Sequence, residues 1–229
     1  MKDYSNLNQT RNEVALNTVK AAAGLFLFSC GVYLTIQANI GVAPWDVLAQ
    51  GLAKRLPISY GTVMMMISAT ILVVDVLLGE PIGLGMVLDT LIIGKSVDLL
   101  TWLDLVPTRD SLAGGIVCLL LGLTLMNCSM RIYIAQGLGC GPRDTLLVAL
   151  CKRFRSIPIG AMTVIMWSVV TLIGWLLGGQ VGIGTVLSVC LAGPILQVIC
   201  NLTHFNAADV THQNIVQSIR ILLGKEKSA

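Results

Sequence analysis

Polar and charged residues are bunched along this chain, and six long apolar stretches lie between the bunches. The stretches run over 14–36, 59–79, 82–103, 112–135, 157–178 and 181–203. An α-helix rises 1.5 Å per residue, so about 20 apolar residues cross a hydrocarbon core of ~30 Å, and every stretch is long enough. Gly79-Glu80-Pro81 and Gly178-Gly179-Gln180 leave room only for tight turns, whereas Asp104–Asp110 is a longer polar break. Residues 1–13 are polar, and Thr10-x-x-Glu13 has the spacing of a capping box that opens the first helix. Near the other end, Ile215, Val216, Ile219, Leu222 and Leu223 recur at helical spacing before Gly224. That pattern predicts an amphipathic helix on the membrane surface, with a partner-binding helix as the alternative.

Composition agrees with the pattern. The chain is 55% hydrophobic and only 12% charged, with a mean hydropathy of +0.82. Soluble domains are about a quarter charged, so this balance marks a polytopic membrane protein with the lipid bilayer as its first partner. Phe28 is large for a cleavage site at Cys30, and the apolar run continues past it, so the first stretch is expected to stay in place. None of the seven cysteines pairs as C-x-x-C, and His204 and His212 have no ligand cluster beside them. No metal, cofactor or nucleic-acid partner is expected. With no phosphate loop, nucleophile elbow or zincin motif in the chain, it is not expected to be an enzyme.

The sequence also repeats. "GVAPWDVLAQGLAKR" at 41–55 matches "GCGPRDTLLVALCKR" at 139–153, with an offset of 98 residues. After a one-residue insertion near Arg155 the offset becomes 99: Gly61 matches Gly160, "GLGMVL" at 83–88 matches "GIGTVL" at 182–187, and Gly94 matches Gly193. Two copies of one unit are thus expected, at 14–103 and 112–203. The expected fold is all-α and polytopic, each repeat holding three long transmembrane helices and one short broken helix. A cytoplasmic segment at 1–13, a cytoplasmic linker at 104–111 and a cytoplasmic amphipathic end at 204–229 complete the division.

The topology turns on the short segments at 44–56 and 142–155. If they do not cross, each unit crosses three times and the two are inverted. If they cross, the units are parallel and every loop lysine and arginine falls on one side. The positive-inside rule favours the second arrangement, with both termini cytoplasmic in a bacterial inner membrane.

The paired motif carries the candidate chemistry. Gly41, Gly139 and Gly141 free the backbone, and Pro44 and Pro142 suit a first helical position. Asp46 and Asp144 follow two residues later, where a carboxylate meets the positive end of the helix dipole. An aspartate there also serves simply to begin a helix. Repeating a charge at membrane depth is costly, and this favours a role in binding an ion, a proton or a solute. Arg143 offers a planar fork to a carboxylate or phosphate, and Trp45, at its matching place, offers a face for stacking or an anchor at the interface. Asp89, Arg131 and Lys95 are further candidates inside apolar stretches. Lys95 has Asp98 as a local i, i+3 partner, and Asp75 lies close enough to a helix end to be interfacial.

"QANIGVAPWDVLAQGL", "GLGMVLDTLIIGKSVDL", "GLGCGPRDTLLVAL" and "LGGQVGIGTVLSVCLAGPILQ" resemble the YczE/YyaS/YitT family of bacterial integral membrane proteins. The resemblance implies an inner-membrane protein and brings no substrate with it.

Broken segments at matching places point to a transporter. The expectation is a secondary transporter or exporter of a small anionic or zwitterionic solute, bound between the repeats. The alternative is a membrane accessory, scaffold or sensor acting through its C-terminal helix. The sequence leaves the coupling ion, direction and oligomeric state open.

Overall fold

The computed structural model describes residues 10–157, 159–205, 210 and 213–222, and among these the regular structure is entirely helical. The helices are α1 (Arg11–Gln37), α2 (Pro44–Arg55), α3 (Tyr60–Leu77), α4 (Leu84–Leu103), α5 (Leu112–Ile134), α6 (Pro142–Arg153), α7 (Ile159–Leu176), α8 (Ile183–Leu202) and α9 (Ile215–Leu222). Residues 1–9, His212, Leu223 and Gly224 lie outside the described residues. The capping box at Thr10 and Glu13 forms in both directions. Ser59 and Ser111 cap α3 and α5 through their hydroxyls.

Five helices (α1, α3, α5, α7 and α8) are long and apolar enough to cross a membrane. α4 has the same length as α8 but carries Asp89, Lys95 and Asp98. It packs between α1 and α3. α1 lies along α5, α5 along α8, α2 along α7, and α3 along α6. The core is apolar, with Leu25, Val32, Val63, Met64 and Val97 almost fully buried. Lipid supplies no hydrophobic drive between helices, so close packing of small residues holds such a bundle together. The crossing of α3 and α4 shows this, where the Gly61 and Gly94 backbones meet.

The short helices do not cross. Asn39, before α2, receives a bond from the Gln180 amide at 3.0 Å, and Lys54, at the end of α2, donates to the Gly178 carbonyl at 2.7 Å. One turn therefore holds both ends of the segment 39–54. The second segment is held the same way: Gly85 N–H donates to the Leu138 carbonyl at 2.7 Å, and Lys152 pairs with Glu80 at 2.6 Å. Each segment enters the bundle and returns to the end it left. The full crossing favoured by the charge pattern is thus corrected. The physical reason is length: α2 and α6 have 12 residues each, about 18 Å of helix.

The bonds of the linker set its place in the bundle. Asn39 donates to the Arg109 carbonyl, and Tyr33 donates to that of Val106, so the linker 104–111 sits where α1 ends. Gln213 and Ile215 bond back to Gly137 and Ile82 at the opposite end of the bundle, where α1 begins and α9 packs on it. The linker and the described ends of the chain, the start of α1 and α9, are therefore at opposite ends of the bundle. α9 is docked through Ser218 and Ile221, both buried, while Val216 and Ile219 stay exposed.

Candidate functional site

The two returning segments meet in the middle of the bundle. Gly41 and Gly139 take φ of +104° and +112°, a left-handed turn that glycine adopts without strain. At Gly41 a Cβ would lie 2.6 Å from the Gly182 nitrogen, so the chain there has no room for a side chain. Pro44 and Pro142 then begin α2 and α6, both lining a cavity of ≈ 220 Å³.

The cavity wall is mostly apolar. Phe28 comes from α1, Met64 from α3, Met126 and Met130 from α5, and Met166 and Trp167 from α7. Its charged groups are Asp46 from α2, Asp89 from α4, and Arg143 and Asp144 from α6. Neither aspartate of the motif caps its own helix with its side chain. Asp46, 2% exposed, instead accepts a hydrogen bond from the Tyr60 hydroxyl at 2.9 Å. Asp89 reaches the start of α6, where a Cβ on Gly141 would stand 3.3 Å from its Oδ1. A carboxylate there faces the positive end of the α6 dipole. The Arg143 guanidinium lies over the Trp45 ring, 5.4 Å from its centroid. Among the described residues the ion pair within 4.0 Å is Lys152–Glu80, so no carboxylate claims Arg143 at that range.

Five of the seven charged and aromatic candidates come together here: Trp45, Asp46, Asp89, Arg143 and Asp144. Lys95 and Arg131 do not. Lys95 is exposed, and Asp98 accepts from the Gly61 N–H at 2.7 Å and from Ser59, so it holds the start of α3 rather than pairing with Lys95. Arg131 lies over the Phe205 ring at 5.7 Å, and its Nε is buried without a partner among the described residues. Asp75 lies two residues before the end of α3 but is fully buried there, and both its carboxylate oxygens lack partners among the described residues. Sequence reasoning missed Tyr60 and Ser188. A tyrosine at a helix start carries no pattern, and the matching 99-residue offset sets Ser188 opposite Asp89, a correspondence visible in the chain.

A bundle of long apolar helices around a charged central cavity is the arrangement of a polytopic membrane protein. The chain belongs to the family of unknown function DUF6198, whose model matches residues 16–201. It is 32% identical over 178 residues to an uncharacterized protein of Haemophilus influenzae, covering 78% of this chain and 80% of that one. It is 30% identical to the uncharacterized protein YyaS of Bacillus subtilis, covering 76% and 88%. It is 28% identical to the uncharacterized membrane protein YczE of the same organism, covering 82% and 86%. No solved structure matches the chain.

Proposed function

We propose that the chain is a secondary transporter or exporter of a small zwitterionic solute, bound in the central cavity. The observation that carries this reading is the meeting of two interrupted helix starts, at Pro44 and Pro142, over one charged cavity. Interrupted segments at corresponding places mark the binding site in transporters built from two repeats. The repeat reading draws support from the matched order and lengths of α1–α4 and α5–α8, and the return of both short segments favours inverted units. Lys152, Arg153, Arg155 and Arg220 gather at the end where α1 begins and α9 lies, against Lys54, Arg55 and Arg109 at the other. The positive-inside rule then sets the termini in the cytoplasm and the linker outside.

The charges narrow the solute. A wholly anionic solute would face Asp46, Asp89 and Asp144 with Arg143 as its one cation in the wall. A zwitterion uses both signs: its anionic group meets the guanidinium fork, and its cationic group meets the carboxylates and aromatic faces. In this reading the side chains bind and release, and the chain is not an enzyme. The second reading, an accessory acting through its C-terminal helix, draws on the exposed Val216 and Ile219 of α9.

The test is thermal stability of the purified protein against a panel of zwitterions: amino acids, betaines, phosphocholine and hexylphosphocholine. At least one should raise the midpoint of the wild type and leave Arg143→Gln unmoved. A panel without effect, or one acting equally on Arg143→Gln, overturns the reading.

A further inference from the structure

Matching positions of the sequence stand in unlike surroundings. Gly61 on α3 and Gly94 on α4 seal that crossing by backbone contact: a Cβ on Gly61 would lie 2.6 Å from the Asp98 carboxyl carbon, and one on Gly94 2.5 Å from Met65 Cγ. Their counterparts, Gly160 on α7 and Gly193 on α8, have nothing within 4 Å of a Cβ among the described residues. α3 and α4 pack along one another, whereas α7 and α8 share a turn and barely touch beyond it. Both still border the cavity, through Trp167 on α7 and through Ser188 and Ala192 on α8. Among the described residues the other neighbouring pairs around the cavity are packed, and α7 and α8 lack that direct packing.

A second observation points to a ligand there. The Ser188 residue is 3% exposed, lines the cavity, and its hydroxyl has no partner among the described residues. A buried hydroxyl without a partner is costly, and a polar group arriving in the cavity would satisfy it.

We infer that the gap between α7 and α8 is a lateral portal from the bilayer, and that the ligand is an amphiphile. Its zwitterionic head sits among Arg143, the aspartates and Ser188, and its hydrocarbon chain lies in the gap. This rests on the binding-site reading above and adds the substrate class. Approach of Gly160 to Gly193 closes the portal by the contact that Gly61 and Gly94 already make.

Trp45, half-buried in the cavity wall, is the reporter. The full chain carrying Trp102→Phe, Trp167→Phe and Trp175→Phe is placed in phosphatidylcholine nanodiscs with plain or brominated acyl chains. A variant keeping only Trp175, 58% exposed on α7, gives the level for direct lipid contact. Entry of acyl chains predicts that bromine quenches Trp45 nearly as far as Trp175. Gly193→Leu, which fills open space, should restore the Trp45 emission. Trp45 unquenched overturns the portal, including the case of a second copy covering α7 and α8. Equal quenching in Gly193→Leu overturns it too, since the chain then enters elsewhere. Quenching does not require solute movement, so failure here leaves the transport reading standing. A silent zwitterion panel with Trp45 quenched removes transport and leaves the portal.

Discussion

The guanidinium carbon of Arg143 stands 5.4 Å from the centre of the Trp45 ring. These two residues occupy the same place in the matching stretches 41–55 and 139–153, where an aromatic in one stands opposite a cation in the other. The position at which the two stretches differ most is a contact between them. A cation over an indole contributes about 0.5–2 kcal/mol, depending on desolvation. Thermal unfolding of Trp45→Ala, Arg143→Gln and the double variant should give a coupling of about 1 kcal/mol. Additive effects would mean that the pair does not act together.

The topology makes a labelling prediction. In a cysteine-free background, Leu56→Cys and Phe154→Cys mark the ends of α2 and α6, at residues 40% and 50% exposed. A membrane-impermeant thiol reagent should reach them from opposite sides of the membrane, and Phe154→Cys from the side on which α1 begins. Labelling of both from one side would restore the parallel arrangement.

Gly61 and Gly160 should respond differently to the same change. A Cβ on Gly61 meets the Asp98 carboxyl and the Gly94 carbonyl, so Gly61→Ala forces α3 from α4. Overpacking of this kind costs about 1–3 kcal/mol. A Cβ on Gly160 meets nothing among the described residues, so Gly160→Ala should be neutral or add up to about 1 kcal/mol from helix propensity. Thermal midpoints of the two variants check this.

Asp75 is buried with neither oxygen partnered among the described residues. An unpaired buried charge is a cost to folding, so Asp75→Asn should raise the thermal midpoint. A lowered midpoint would mean that the carboxylate makes a contact that holds α3 in place.

Much of this was legible in the chain because hydropathy and breakers act locally. The long helices end within a few residues of the predicted stretches, and the Pro-initiated helices at Pro44 and Pro142 stand where the motif put them. The return of the short segments was not legible. Lys54 and Arg55 are counted by the positive-inside rule as loop charges, yet both donate to carbonyls of the turn after α7, which only the packed structure supplies. Lys95 and Asp98 failed as a pair for a similar reason: the free N–H groups at the start of α3 compete for Asp98, and they belong to a helix 37 residues away in sequence. Trp45, Asp46, Arg143 and Asp144 were singled out because their motif recurs in the sequence, and Tyr60 was missed because its bond exists only beside Asp46.

Counterflow in proteoliposomes tests the central claim most directly. A radiolabelled zwitterion that raises the thermal midpoint should accumulate in vesicles carrying wild-type protein and preloaded with the unlabelled compound. Asp46→Asn and Arg143→Gln proteins, inserted to the same level, should leave the label outside. Accumulation by these variants at the wild-type rate, or none by the wild type, would contradict a solute path through this cavity.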